Sequence, residues 1–301
     1  MSEISKFLDG TRWQEWRQTP VAGDASARSY RRLAGPDRES VILMIAPPEA
    51  GEDLGPFLHI AKHLSAIGLC PPSILKYDQT AGLAIIGDLG ARHFADWIAA
   101  GDADELTLYR AAADCIETIS ASPAPTGLKT MTPEVGADMV GLYSEWFAPS
   151  ADGSKIATAM KSALERLAPH QYTLSLRDFH AENLIWRPEL KGTDRVGLLD
   201  FQDAFLAHPL YDLVSLLCDA RRDVSDRTIT ELTNGIDMAA FSTIAVQRNL
   251  RILGIFARLV QRDKKLKYQP LIPRVISHLK RDLAHPELCD LSELILPDLT
   301  L

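Results

Sequence analysis

The sequence predicts an α+β fold of two lobes, a small strand-rich lobe followed by a larger, mainly helical one. Three observations carry this. Up to residue 87 the apolar residues come in short runs bounded by Pro, Gly and polar turns; beyond residue 90 they recur mainly at helical spacing; and 301 residues suffice for two cores rather than one. The change of character falls at GDLG, 87–90, so residues 1–87 are assigned to the first lobe and residues 88–301 to the second.

Taken in order, residues 1–18 read as a helix, with Trp13 and Trp16 three apart on one face. Thr19 to Leu33 reads as two short strands around the polar turn GDASARS, and Val41 to Ala46 as a strand stopped by Pro47-Pro48. Leu54, Phe57, Leu58, Ala61 and Leu64 give residues 52–67 the spacing of a helix, and 74–77 and 83–86 read as two more strands. Residues 94–119 and 133–167 are helical in pattern. Two short strands, 184–187 and 196–201, flank the polar loop ELKGTD, and helices are expected over 210–220, 226–236, 238–261 and 270–283.

Composition excludes several classes of function. A formal net charge of -8 with no long basic run argues against nucleic acid or an anionic membrane as partner. The polar start MSEISKFLDGTRWQEW is no signal peptide, and no stretch reaches the roughly eighteen apolar residues of a membrane span. The four cysteines, at 70, 115, 218 and 289, are scattered without a CxxC pair, which points to reduced thiols in a cytoplasmic protein. His59 and His63 lie four apart on the second expected helix, but no further ligand is near in sequence, so a helix face explains them better than zinc.

Chemistry concentrates in LSLRDFHAENLIW, 174–186, where an apolar run is interrupted by Arg177, Asp178, His180, Glu182 and Asn183 before apolar residues resume. Polar groups beside buried strands cost free energy unless they are paired or used. A second acid, Asp200, follows the next expected strand. Two carboxylates and an amide at the ends of adjacent short strands suit phosphoryl transfer. One carboxylate accepts the proton of the attacking hydroxyl, while a carboxylate and an amide oxygen hold Mg²⁺ on the phosphates.

RDFHAEN followed by LLDFQDA resembles the motif pair of the aminoglycoside phosphotransferase and choline kinase family, and the order of lobes fits. The resemblance implies a bilobal protein-kinase-like fold and an ATP- and Mg²⁺-dependent kinase of small molecules. On it, Asp178 is the general base, Asn183 and Asp200 are the metal ligands, and the backbone of Gly87, Asp88 and Leu89 in LAIIGDLG meets the adenine. Five segments in order, GDASARSYRR, the strand ending in APP, GLLDFQDA, YDLVSLLCDARRDV and QRNLRILGIFARL, resemble more closely the cell-wall-recycling kinases that phosphorylate N-acetylmuramate and N-acetylglucosamine at the anomeric hydroxyl. That implies a small-molecule sugar substrate, a role in peptidoglycan recycling and a monomer.

Two departures from the family stand out. Leu176 occupies the place of a histidine two residues before the base, and the strand VILMIA lacks the lysine that holds nucleotide phosphates; no Lys lies between Lys6 and Lys62. Arg28, beside a turn whose Gly23 and Ser26 offer backbone amides, is the candidate replacement. Candidates for the sugar are Arg177, His180, Asp203, Glu145, Trp146, Asp219 and Arg221, with Arg248 and Arg251 for the lactyl carboxylate of N-acetylmuramate; for each, an ordinary helix-surface, loop or core role explains the residue as well. Asp212 is a candidate orienter of the catalytic loop. Two other functions compete: another small-molecule kinase of the family, acting on an aminoglycoside, choline or another amine or sugar, and a nucleotide-binding regulatory module without turnover.

Overall fold

Five short extended runs build the amino-terminal sheet. The computed structural model describes residues 2–21, 27–169 and 171–299. A short helix, α1 (Glu3–Leu8), precedes β1 (Arg17–Val21), β2 (Ser29–Ala34) and β3 (Ser40–Ile45); α2 (Gly55–Ala66), β4 (Ile74–Asp78) and β5 (Leu83–Gly87) follow. The sheet order is β1-β2-β3-β5-β4, antiparallel throughout. Leu33, Val41, Leu43, Leu83 and Ile85 form its core with Phe7 and Leu8 of α1. On β3 the adjacent Leu43 and Met44 are both fully buried, so both faces of this strand are covered.

The expected helix over 1–18 stops at Leu8. Asp9 leaves the helix and Gly10 adopts a left-handed conformation, φ 66°, so Trp13 and Trp16 reach the sheet core from a run of turns instead. Trp16 lies against Gly35 so closely that a Cβ there would stand 2.4 Å from the indole.

After α3 (Phe94–Ala100) the chain forms α4 (Glu105–Ala121), α5 (Pro133–Met139), a wide turn at Tyr143–Phe147, α6 (Gly153–Leu167) and β6 (Thr173–Ser175). The hairpin β7 (Leu184–Trp186) and β8 (Val196–Leu198) follows, then β9 (Phe205–Ala207), α7 (Tyr211–Leu217), α8 (Asp226–Leu232), α9 (Met238–Gln261), α10 (Ile272–Leu283) and α11 (Cys289–Ile295). By contacts the chain falls into two units: residues 1–103 with 182–203, and residues 104–181 with 204–301. The first holds the five-stranded sheet, α2, α3 and the β7–β8 hairpin. The second is built around α9, whose start is capped by Asp237 accepting from the amides of Ala239 and Ala240.

Within the second unit, β6 and β9 pair antiparallel, Thr173 opposite Ala207. At Gly254 the backbone of Leu142 comes so near α9 that a Cβ would meet its carbonyl oxygen at 2.4 Å. Among the described residues no helix is long and apolar enough to cross a membrane. Cys115 and Cys218 are buried, Cys70 is half-buried and Cys289 is exposed, and none of the four is in a disulfide.

Candidate active site

In the first unit the β7–β8 register, Leu184 opposite Leu198, brings Asn183 and Asp200 to one end of the hairpin. The Leu199 amide donates to the Asn183 carbonyl at 3.0 Å. The Asn183 side-chain amide stands 3.4 Å from Asp200 Oδ2, and Gln202 Nε2 donates to Asp200 Oδ1 at 2.6 Å. Asp200 is held at φ 57°, a left-handed conformation that is unfavourable for a side chain with a Cβ. The next residue, Phe201, is fully buried and stacks on Phe57 of α2 at 5.2 Å, which fixes the turn. An amide and a carboxylate side by side offer hard oxygen donors and fit Mg²⁺, which keeps several of its waters. Among the described residues no group of three or more His, Cys, Asp or Glu gathers as a closed cage for a softer metal.

Arg28 sits in the same unit. Its Nε pairs with Glu52 Oε2 at 2.7 Å, its Nη2 reaches the Asp53 carbonyl at 3.3 Å, and the Ala27 amide donates to Glu52 Oε1 at 3.1 Å. The Tyr30 phenol is pushed up, chiefly by burial; Arg28 opposes this, while Asp200 and Glu52 add to it, so these four groups share one electrostatic neighbourhood. Tyr30 is paired across the sheet with Met44 of β3. An arginine–glutamate pair thus lies beside the strand that lacks a lysine. Gly23 and Ser26, expected at the same turn, lie outside the described residues.

In GDLG, Asp88 is a structural anchor. It accepts from Arg32 Nε at 2.6 Å and Arg32 Nη2 at 3.1 Å, and from the Gly90 amide at 3.0 Å. Burial raises its pKa, but these bonds together with one from Ser40 outweigh it and leave the carboxyl below its ordinary value. The Gly87 amide is taken by the Ser73 carbonyl at 2.8 Å. Leu89 packs so close to Gly197 of β8 that a Cβ there would stand 2.9 Å from its methyl.

Asp178 belongs to the second unit, on the turn that leaves β6. That turn is held by a residue 34 positions further on. Asp212, buried near the start of α7, accepts from Ser175 Oγ at 2.7 Å, from the Leu176 amide at 2.7 Å and from the Arg177 amide at 3.0 Å. Burial pushes Asp212 up to about 6, against the pull of those three donors and Arg248, so at neutral pH it is largely ionised. The tether holds Arg177 at φ 72°, and the Asp178 amide closes back on the Leu176 carbonyl at 2.9 Å. Asp178 keeps 41% of its side chain exposed, while Arg248 of α9 is buried 3.9 Å from its Oδ1 and donates to Ser215 Oγ at 2.6 Å. His180, two residues beyond Asp178, is buried.

The other sugar candidates separate. Asp203 is exposed on a loop. Glu145 and Trp146 lie at the far end of α9: Gln261 donates to the Trp146 carbonyl at 3.0 Å, thirteen residues beyond Arg248, or about 20 Å along the helix at 1.5 Å per residue. Asp219 is buried beyond the opposite end of α7 from Asp212 and accepts from the Arg221 amide at 2.9 Å, with the Arg221 guanidinium 3.6 Å away. Arg177 has no ion pair among the described residues; its guanidinium lies 5.8 Å from the Phe205 ring. Glu52 as partner of Arg28 and Ser215 as bridge to Arg248 were not foreseen. The signal for the latter was QRNLR, a polar run inside an apolar helix, which is costly unless it is paired.

The profile of the phosphotransferase enzyme family matches residues 17–242. The chain belongs to that family. Relatives of this phosphotransferase include the N-acetylmuramate/N-acetylglucosamine kinase of Caulobacter vibrioides, 36% identical and covering 95% of this chain and 93% of its own. The protein of the same name from Pseudomonas aeruginosa is 29% identical, covering 92% and 87%. Among solved structures, a choline/ethanolamine kinase family protein from Mesorhizobium loti shares the fold at TM-score 0.66 and 15% identity, over 99% of this chain and 98% of that one. The choline kinase LicA of Streptococcus pneumoniae follows at 0.64 and 14%, over 88% and 93%. The phosphotransferase therefore has the kinase-like fold expected from its sequence, and its substrate is a small molecule.

Proposed function

We propose that this phosphotransferase is an ATP- and Mg²⁺-dependent sugar kinase that phosphorylates the anomeric hydroxyl of N-acetylmuramate and N-acetylglucosamine in the cytoplasm, as a monomer serving peptidoglycan recycling. The observation that carries the reading is the near full-length relationship to kinases named for these two sugars, at 36% identity for the Caulobacter protein. The residues support it. Asp178, exposed and held by the Asp212 tether, accepts the proton of the C1 hydroxyl as that oxygen bonds to the γ-phosphorus and the bond to the ADP oxygen breaks. Mg²⁺, when bound, neutralises charge on the phosphates. Asn183 and Asp200 would hold it. Arg28, aligned by Glu52, supplies phosphate contacts in place of a strand lysine.

The first unit accordingly carries the nucleotide and the second the base and the sugar; in sequence only four residues separate Asp178 from Asn183. Positioning and charge carry such a step, since phosphoryl transfer demands little covalent help. The test is ³¹P NMR with ATP, Mg²⁺ and each sugar, with choline and kanamycin as control acceptors. A sugar 1-phosphate resonance that disappears in a folded Asp178→Asn variant is expected. A product from choline or kanamycin alone would replace the sugar assignment with another small-molecule kinase. ATP binding without any product would favour a regulatory module.

A further inference from the structure

Arg248 and Arg251 lie one turn apart on α9, on the same face, with Cβ atoms about 5–6 Å from each other. The structure employs them differently. Arg248 is committed to Ser215 and Asp178. Arg251 is half-buried, yet makes no hydrogen bond and no ion pair among the described residues. Arg177 is in the same condition: its Nε is buried without a hydrogen-bond partner. The Tyr211 hydroxyl, on a fully buried side chain, likewise lacks one.

These groups lie within electrostatic reach of one another. The Arg251 guanidinium is held below its ordinary value, first by burial; Arg177 and Arg248 add to this, while Tyr211 and Asp178 oppose it. The acids nearby are engaged: Asp212 by Ser175 and two backbone amides, Asp178 by Arg248. Two partly desolvated cations and a spare hydroxyl donor therefore share one nearby acid, Asp178, which already pairs with Arg248, an arrangement that is costly when empty and favourable when a further carboxylate arrives.

We infer that Arg251 and Arg177, with the Tyr211 hydroxyl, form a carboxylate subsite near Asp178 that takes the acid group N-acetylmuramate carries and N-acetylglucosamine lacks. The inference rests on the function proposed above. Both sugars present the same anomeric hydroxyl, so the subsite sets preference between them and not the ability to react.

The experiment measures kcat/KM for both sugars in the unaltered protein, Arg251→Gln and Arg251→Lys. Losing a charge-assisted contact is expected to lower the ratio of N-acetylmuramate to N-acetylglucosamine by about ten- to a hundredfold in the Gln variant, with partial recovery in Lys. A ratio preserved while both sugars lose rate would overturn the inference and assign the arginines to the transferred phosphoryl group. The unaltered protein gives an independent arm: the primary amide of N-acetylmuramate should react at least about tenfold less efficiently than the acid, and equal turnover would also overturn the inference. If the unaltered protein phosphorylates neither sugar, the proposed function fails and this inference fails with it; preserved turnover with an unmoved ratio removes the inference alone.

Discussion

Replacing Asp212 with Ala tests whether one buried carboxylate holds the loop that carries the candidate base. The side chain accepts from Ser175 Oγ and from the amides of Leu176 and Arg177, at 2.7, 2.7 and 3.0 Å. Each donor left buried without an acceptor costs about 1–3 kcal/mol. Ser175 can turn its hydroxyl elsewhere, but the two amides cannot, so the expected loss is about 4 kcal/mol. That is a large part of the roughly 5–15 kcal/mol typical of a folded domain.

Asp212→Asn is the sharper variant. Leu176 donates to one carboxylate oxygen and Arg177 to the other. An amide side chain serves only one of them and turns its own N–H₂ toward the second, for about 2 kcal/mol. Urea unfolding followed by circular dichroism measures both costs, and kcat from the same preparations reads the loop. A displacement of Asp178 by about 1 Å is expected to lower kcat about a hundredfold in the Asn variant while it remains folded. An Ala variant within 1 kcal/mol of the unaltered protein, or an Asn variant with full kcat, would refute the tether.

Two further outcomes follow from ion pairs elsewhere. Glu105 accepts from Arg222, Ser225 and Thr228; burial raises its pKa, but these bonds prevail and hold it at about 2, below its ordinary 4.5. Because the folded value is the lower one, this stabilisation is complete above pH 4.5 and is lost as pH falls towards 2. It amounts to at most about 3 kcal/mol, and Glu105→Gln should flatten that part of an acid-unfolding curve, whereas an unchanged curve would count against the pair. Arg28→Ala should raise the apparent KM for ATP about tenfold with little effect on that for the sugar; an unmoved KM removes Arg28 from the phosphates.

Local signals made much of the fold legible. The apolar run VILMIA forms β3 up to Ile45, and the spacing from 238 to 261 is α9 over the same residues, because a strong period and an aspartate cap coincide there. The β7–β8 hairpin, and with it the neighbouring Asn183 and Asp200, followed from two apolar runs around a polar loop. What escaped was long-range. Strands β6 and β9 are three residues each, too short for a period, and exist because they pair with each other. Trp13 and Trp16 are three apart as in a helix, yet turns bring them to the sheet core. The engagement of Asp178 by Arg248 depends on a contact 70 positions away, which one sequence cannot announce.

Arg177 and Asp200, each beside proposed chemistry, both hold a left-handed backbone that an L side chain tolerates at about 1–2 kcal/mol. Glycine would relieve that strain at either position. A search for hardier variants scored on melting temperature alone would therefore drift toward glycine there, enriching proteins that withstand heat while discarding the proposed magnesium ligand and the proposed anion contact. Any such campaign on this enzyme needs turnover as a second criterion from its first round.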